Sequence, residues 1–308
     1  MTILDAHCDA PSQMLRQRDY TIDNPGVQVD FPKMVKGGVD ASFFALYIPA
    51  ELDEAKAREH AFAMLEAMDA QVARASDVVA YARNASEVAA NKAKGLVSIL
   101  IGLENASPIG HDIGVLEELA ARGVRYVTLT HSADNQICDS CTGKGRWGGL
   151  SPFGREFVRE LNRLNVLVDV AHCADSTVRE VLEVSEKPVV YTHGCCRALH
   201  SHPRNLPDEL LKGIAQRGGV VGMSIYPDFL SDSGSPGVGK VVDHIEHAID
   251  VCGIDHVGLG TDYDGIDYTA QGLEDISKFR LILDVLHGRG YTQAEVSKVA
   301  GENFLNLL

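Results

Sequence analysis

Side chains that bind metals or move protons recur along the 308-residue sequence, each directly after a short apolar run. They are His7, Asp9, Glu104, His131, His172, His193, Tyr226 and Asp262. One histidine in such a place is more often a hydrogen-bonded structural residue than a ligand. Several such groups meeting at one place would instead form a metal centre. The imidazoles of His7, His172 and His193 with the carboxylates of Asp9 and Glu104 suit zinc, or a similar borderline metal, better than magnesium or calcium.

The first pair lies in the opening segment "LDAHCDA", residues 4 to 10. Successive side chains of a strand point to opposite faces, so His7 and Asp9 share one face and Cys8 points to the other. Their Cα atoms would lie about 6.6 Å apart, at a rise of about 3.3 Å per residue, and could reach one ion. Alone, the pair has an equally good structural explanation, in which Asp9 caps a turn over a packed His7.

The remaining residues are of the types that a hydrolytic metal site requires. His172 and His193 supply two neutral imidazoles, and the two oxygens of Glu104 could bridge a pair of ions. Two ions roughly 3.5 to 4 Å apart would hold a bridging water as hydroxide near neutral pH. His131 and Asp262 are then free for transition-state stabilisation and proton transfer.

The elements that must position these residues are predicted from short runs rich in Val, Ile and Leu. Eight strands are predicted, at about 2–8, 39–48, 95–103, 124–130, 165–171, 187–192, 219–225 and 255–261. Segments with helical spacing separate them, at about 54–82, 112–122, 153–164, 175–185, 207–217 and 239–252, and two or three more helices follow residue 273. This alternation predicts repeated β/α units around a parallel sheet.

Eight such units without a linker-like break favour a closed (β/α)8 TIM barrel over an open doubly wound sheet, whose GxGxxG fingerprint after the first strand is absent. We expect one catalytic domain over residues 1–308, with the last helices completing it. In such a barrel the loops after the strands share the C-terminal face, so the candidate residues would meet there.

The composition of the chain argues against several classes of binding partner. A net charge of −15 repels nucleic acid and anionic lipid, and no apolar run reaches the roughly 18 residues of a membrane span. The start of the chain lacks the pattern of a secretory signal, and the seven scattered cysteines do not form a small disulfide framework. We therefore expect a cytoplasmic protein with reduced thiols that binds neither nucleic acid nor membrane.

The motifs around these residues resemble those of the membrane (renal-type) dipeptidases, peptidase family M19 of the amidohydrolase-like metal-dependent hydrolases. "DAHCDAP" is similar to the family's Asp-Gly-His-Asn-Asp opening, "GLEN" to its bridging Glu, and "LTHSADNQICDS" to its substrate-histidine segment. "NVLVDVAH" and "VVYTHGCCRALHSHPRN" resemble its two metal-histidine segments, and "HVGLGTDYDGI" its catalytic Asp loop. The resemblance extends from residue 4 to the end of the chain.

The resemblance implies a role for each residue. His7 and Asp9 would bind one zinc, His172 and His193 the other, and Glu104 both. Asp262 would accept a proton from the attacking water and pass it to the leaving amine, and His131 would stabilise the oxyanion. Arg204 would bind the substrate's terminal carboxylate, a role that its planar fork of donors suits. Tyr226, after the seventh predicted strand, joins His131, Arg204 and Asp262 as a candidate substrate-binding residue.

The expected function is therefore a binuclear zinc dipeptidase that hydrolyses free dipeptides, including L-Xaa-D-Xaa, by attack of a metal-bridged hydroxide. A homodimer is also expected. The chain departs from the family pattern at Cys8, where Asn is common, and at "NAS" after Glu104, where Gly-Gly-His is often found. It lacks the signal peptide, disulfides and lipid-anchor signal of the animal members, and so resembles the soluble bacterial branch.

Other interpretations stay open at this point. An amidohydrolase acting on another amide or a lactone bond would share the fold, although such enzymes more often use a carboxylated Lys as the bridge, and no Lys ends a predicted strand here. A non-catalytic barrel would have lost residues that this chain keeps. "CDSC" at 138–141 could be redox-active or bind a structural zinc with Cys195 and Cys196, but it lies within a loop, where a redox CxxC is not expected.

Overall fold

Parallel strands define the architecture, described here for residues 1–308 from a computed structural model. In chain order the strands are β1 (Leu4–Cys8), β2 (Ala41–Tyr47), β3 (Val79–Tyr81), β4 (Val97–Glu104), β5 (Val124–Thr128), β6 (Leu167–Asp169), β7 (Val189–Gly194), β8 (Val220–Met223) and β9 (Val257–Leu259). Eight of them pair in the order β1-β2-β4-β5-β6-β7-β8-β9, and β3 pairs only with β4. All of these pairings are parallel, so the carboxyl ends of the strands lie at one end of the sheet.

The sheet closes on itself between β1 and the segment after β9. The Asp262 amide donates to the His7 carbonyl oxygen at 3.0 Å, and the Asp9 amide donates to the Tyr263 carbonyl oxygen at 2.8 Å. Helices cover the outside between the strands, so the predicted (β/α)8 TIM barrel is confirmed.

Thirteen α-helices accompany the strands. They are α1 (Ala10–Leu15), α2 (Phe31–Gly37), α3 (Glu54–Arg74), α4 (Ala85–Ala93), α5 (Ile113–Arg122), α6 (Pro152–Arg163), α7 (Asp175–Val184), α8 (Asp208–Gln216), α9 (Pro227–Leu230), α10 (Val238–Cys252), α11 (Arg280–Gly288), α12 (Gln293–Ser297) and α13 (Asn303–Leu305). None of them is long and apolar enough to cross a membrane.

The Ala-rich segment differs from its prediction as one helix over 54–82. Helix α3 ends at Arg74, and Val79–Tyr81 instead form β3 beside Val97–Ile99 of β4. The side chain of Asn84 then accepts a hydrogen bond from the Glu87 amide and starts α4. The alanines continue through this region, but the β-branched pair at 78–79 and the Asn84 cap divide it into three elements.

Two helices in the β1–β2 connection were not predicted. Helix α1 begins directly after Asp9 and carries Pro11 in its first turn, where the missing amide costs nothing. The Asp30 side chain caps α2, which ends at Gly38 in the left-handed conformation (φ 66°). Both helices contribute residues to the cavity above the strand ends.

A separate apolar layer fills the barrel interior below the strand ends. It includes Leu4, Phe43, Tyr126, Val190 and Phe304. A Cβ added at Gly102 of β4 would come within 2.2 Å of the Tyr126 ring, so glycine is what lets this ring cross the interior. Tyr126 thereby brings its hydroxyl to the floor of the site, 2.8 Å from His7 Nδ1.

Candidate active site

The candidate residues converge at the carboxyl end of the barrel. His7 lies near the end of β1, Glu104 is the last residue of β4 and His193 lies in β7, while Asp9, His131, His172 and Asp262 lie in the segments that follow strands. Their potential ligand atoms form three groups, each within 4.8 Å: His7, Glu104 and His193; Glu104, His131 and His172; and His7, Asp9 and Asp262. The three groups share members and therefore form one continuous cluster.

Glu104 lies at the centre of this cluster. Its Oε1 atom is 3.0 Å from His172 Nε2, 3.4 Å from His193 Nε2 and 3.7 Å from His7 Nε2. On the other side, His7 Nε2 lies 3.6 Å from Asp9 Oδ2 and 3.9 Å from Asp262 Oδ1. Glu104 thus lies between the imidazoles of His172 and His193 on one side and that of His7 on the other.

Buried polar atoms in the cluster fit bound cations. His7 Nε2 and Asp9 Oδ1 are buried and have no hydrogen-bond partner. The Nε2 atoms of His172 and His193 lie 2.9 Å apart, and burial holds the pKa of both rings well below its usual range, so both are neutral. Neutral imidazoles and carboxylates at such spacing suit zinc and similar metals.

The carboxyl groups of the cluster are buried close together, which raises their pKa values. Burial raises the pKa of Glu104 well above its usual range, with nearby Asp9 and Asp262 adding to the rise against His7 and Arg204. Burial likewise raises the pKa of Asp9 to about 7, and Asp264 adds to that rise. A positive ion among these groups would favour their charged forms.

Shifts of strand register place two of the histidines. In β1, Asp5 pairs with Ser42 and Cys8 with Phe44, so Ala6 and His7 together stand opposite Phe43. A similar shift between Tyr191 and Gly194 of β7 contains His193. Such shifts re-aim side chains next to active sites.

The neighbouring thiol behaves as alternation predicted. Cys8 Sγ lies 3.5 Å from Ser42 Oγ and packs with the apolar residues between barrel and helices, on the opposite side from His7. All seven cysteines are unpaired.

The backbone at the site adopts the left-handed conformation at four non-glycine residues. Asn105, His172, Asp262 and Asp264 have φ between 65° and 75°. Asn, Asp and His tolerate this region better than most residues, but such a cluster is characteristic of functional sites. Glycine is required beside them at Gly265, where a Cβ would lie 2.0 Å from Asp9 Oδ2.

Asp262 and His131 have protonation properties that differ. Burial raises the pKa of Asp262 to about 7, with His7 opposing and Asp9 adding to the rise. Burial and the Arg204 charge lower the pKa of His131 to about 3, so this ring is neutral at pH 7. The His131 ring packs on those of Tyr47 and His172, with ring centres 4.8 and 4.1 Å away, and its buried Nδ1 atom has no partner.

Arg204 is only 6% exposed. Its Nη2 donates to the His193 carbonyl oxygen at 3.2 Å, and its guanidinium carbon lies 5.1 Å from the centre of the Phe229 ring. Its Nε atom is buried without a partner. Arg204 therefore offers a free donor beside the cluster, in a place where an anion would be desolvated.

Tyr226 lies one layer further from the ligand cluster than Arg204. Its hydroxyl donates to Asp228 at 3.0 Å, and its ring packs on Phe229 and Tyr268. Its connection to Arg204 is therefore through the Phe229 ring.

A cavity of about 920 Å³ opens above the cluster, and its floor includes Asp9, Glu104, His131, His172 and Asp262. Residues that the sequence did not single out line its wall, among them Ser12, Gln13, Gln28, Tyr47, Asp264 and Ile266. Asp264 joins the loops there, since it accepts hydrogen bonds from the Tyr20 hydroxyl and the Gln28 amide. In the sequence, only its place as the second Asp of the "TDYD" segment pointed to Asp264 as a site residue.

Several known proteins are similar to this chain in sequence or in fold. The family model described as membrane dipeptidase (peptidase family M19) matches residues 1–308. The dipeptidase verJ of Clonostachys rogersoniana is 34% identical over 99% of this chain and 83% of its own length. A Rhodobacter sphaeroides metallopeptidase, liganded with a phosphinate mimic of L-Ala-D-Ala, superposes with a TM-score of 0.93 at 27% identity, covering 100% of this chain and 98% of its own.

The probable dipeptidase PvdM of Pseudomonas aeruginosa has the same fold, with a TM-score of 0.94 at 23% identity over 100% of this chain and 94% of its own. A match over all 308 residues, together with the fungal relative, establishes the family. The chain belongs to peptidase family M19, the membrane dipeptidases, and is a metal-dependent dipeptidase.

Proposed function

We propose that this protein is a binuclear zinc dipeptidase whose substrates include dipeptides with a D-residue on the C-terminal side. The observation that carries the proposal is the pair of donor sets that meet at Glu104 Oε1, next to a buried His7 Nε2 without a partner. The inclusion of substrates with a C-terminal D-residue is supported by the similarity to the R. sphaeroides metallopeptidase that holds the L-Ala-D-Ala mimic.

In this proposal His7 and Asp9 would hold one zinc ion, His172 and His193 would hold the other, and Glu104 would be a ligand shared by the two. The ions, when bound, supply Lewis-acid chemistry that lowers the pKa of an attacking water and polarises the scissile carbonyl. The chain's own contribution is to hold five ligands in place beneath a cavity that admits a small substrate.

Asp262 is the proposed proton carrier. A carboxyl group with a pKa of about 7 can accept a proton from water and return it to the leaving amine near neutral pH. Its Oδ1 atom lies 3.9 Å from His7 Nε2, and so at the edge of the ligand cluster. It can therefore reach the reacting atoms without replacing a ligand.

His131 and Arg204 are the proposed substrate-binding residues. The neutral His131 ring can donate one N–H to the carbonyl oxygen as negative charge develops on it. The free Nε of Arg204 can donate to the substrate's terminal carboxylate. Tyr226 is a proposed outer wall of the same subsite, since it supports Phe229 under Arg204.

The experiment is a dipeptide panel assayed alongside metal analysis. We expect about two zinc ions per chain and hydrolysis of matched L-Xaa-L-Xaa and L-Xaa-D-Xaa pairs. N-acetylated, C-amidated and lactone substrates serve as controls for the bond and for the termini. A zinc-loaded protein that cleaves no dipeptide would refute the proposal, and one that cleaves only L-Xaa-L-Xaa would refute the D-residue part.

Two further predictions accompany this function. The chain is proposed to form one catalytic domain over residues 1–308 and to act as a homodimer. Light scattering coupled to size-exclusion chromatography would give twice the 33.3 kDa chain mass for a dimer.

A further inference from the structure

Asp169 and Thr192 lie directly behind His193. Thr192 Oγ1 donates to Asp169 Oδ2 at 2.7 Å and lies 2.9 Å from His193 Nδ1. All three side chains are buried. No other histidine of the cluster has a carboxylate linked to its ring through a hydroxyl group, and His7 Nδ1 instead contacts the Tyr126 hydroxyl. We propose that Asp169 and Thr192 are positioning residues that hold the proton of His193 on Nδ1 and keep Nε2 free as a metal ligand. The inference rests on the ligand role proposed for His193.

The direction of the hydrogen bonds follows from the contacts of Asp169. Its carboxylate accepts from Thr128 Oγ1 at 2.5 Å, from the Ala171 amide at 3.1 Å, and from both the amide and the hydroxyl of Thr192 at 2.9 and 2.7 Å. The Thr192 hydroxyl donates to Asp169 Oδ2, so its single proton points there. The oxygen of Thr192 then faces Nδ1 with a lone pair, and only the Nδ1–H tautomer of His193 can bond to it.

That tautomer is the one that metal binding requires. The opposite nitrogen, Nε2, lies 3.4 Å from Glu104 Oε1 and 2.9 Å from His172 Nε2, inside the ligand cluster. A proton on Nε2 would block this atom as a ligand. Partners behind a ligating histidine commonly fix its tautomer and ring orientation in this manner.

The same pair of residue types occurs a second time in the barrel, without the ring contact. Asp5 accepts from the amide and from the hydroxyl of Thr261, each at 2.8 Å, and the next residue is Asp262. The Thr261 hydroxyl also lies 3.5 Å from the His7 carbonyl oxygen and accepts from the Tyr263 amide at 3.4 Å, but it contacts no imidazole. Thr192 contacts an imidazole and Thr261 does not, so the same substitution at each forms a matched pair.

The test compares Thr192→Val with Thr261→Val in the full chain, by zinc competition against a chelator of known affinity. We expect Thr192→Val to weaken one of the two zinc sites by about 10- to 100-fold, the usual cost of losing a partner behind a ligand. Thr192→Ser should restore the affinity, and Thr261→Val should bind both ions as the wild type does. Cobalt substitution gives a second readout, in which only Thr192→Val should alter the absorption bands of one site.

Asp169→Asn repeats the test without a change of shape, should Thr192→Val not fold. Its amide nitrogen can donate to Thr192 Oγ1, which turns the hydroxyl proton toward Nδ1 and favours the wrong tautomer. The same loss at one site is expected. Wild-type affinity in the variants at 169 and 192, or an equal loss in Thr261→Val, would overturn the inference, whereas a wild type that binds no zinc would refute the proposed function instead.

Discussion

Replacing Arg204 by Met removes the proposed carboxylate anchor and keeps an apolar side chain on the Phe229 ring. The guanidinium is nearly buried and has one modest bond, to the His193 carbonyl oxygen at 3.2 Å, while Nε has no partner. Most of its donors are therefore available to a ligand. The structure thus predicts an effect on substrate binding that exceeds the effect on folding.

The magnitude follows from the bond that a buried guanidinium can make. A hydrogen bond to a charged group contributes about 1.5 to 3 kcal/mol, and each 1.4 kcal/mol changes an equilibrium constant about tenfold. Loss of the bond between Arg204 and the carboxylate should lower kcat/KM by roughly 10- to 150-fold. The carboxylate is bound alike before and during the reaction, so the change should appear mainly in KM.

The assay compares a dipeptide with its C-terminal amide. The wild type should prefer the free acid, and Arg204→Met should lose most of that preference because it has no cation to recognise the charge. Arg204→Lys should recover it only in part, since Lys lacks the planar fork. Arg155→Met, which removes a half-exposed arginine paired with Glu180 at 2.8 Å, is the control and should behave as the wild type. If Arg204→Met kept both its KM and its preference for the free acid, the assigned role would be wrong.

Three further changes test the site. Asp262→Asn should lower kcat by about 10²- to 10⁴-fold with zinc content unchanged, and full activity in the variant would exclude the proton-carrier role. The wild-type rate should fall as the pH drops through about 7 or below, because the Asp262 carboxylate must be ionised to accept a proton and bound zinc would lower its pKa. Cys8→Ser should retain its zinc and most of its activity, because the thiol faces Ser42 away from the ligands, and zinc loss on dialysis would contradict that orientation. Gly102→Ala should lower the free energy of unfolding by about 1 to 3 kcal/mol in denaturant titrations, because the added methyl group meets the Tyr126 ring at 2.2 Å; an unchanged value would mean that the ring can move aside.

The strand count and the ligand types could be predicted from the sequence because each depends on a local pattern. Apolar runs mark strands that are buried on both faces, and a polar residue directly after such a run marks the barrel mouth. The eight barrel strands and the convergence of the five proposed ligands follow from those patterns. The helix predicted over 54–82 was wrong beyond Arg74, because alanine content does not show that Val79–Tyr81 pair with β4 as a strand.

Residues that act behind the ligands could not be found in this way. Asp169, Thr192 and Tyr126 are polar or aromatic residues within strands, and the sequence gives no sign of which strand neighbours they face. Their importance depends on contacts between β5, β6 and β7, such as the bond from Thr128 to Asp169. Those contacts require the register of the strands, which periodicity alone does not specify.

The ligand positions themselves depend on departures from regular strand geometry. Alternation correctly separates His7 from Cys8, but it would also separate His7 from Ala6, and the register shift in β1 places both opposite Phe43. His172 and Asp262 lie beyond their strands with φ of 65° and 67°, where most side chains would be strained. Hydrogen bonds from Thr261 to Asp5 and from Thr192 to Asp169 lie next to Asp262 and His193, and only those of Thr192 continue to a ligand ring. The position of His193 therefore depends on buried hydrogen bonds one layer beneath the ligands, and substitution of Asp169 or Thr192 should alter metal affinity while every ligand stays in place.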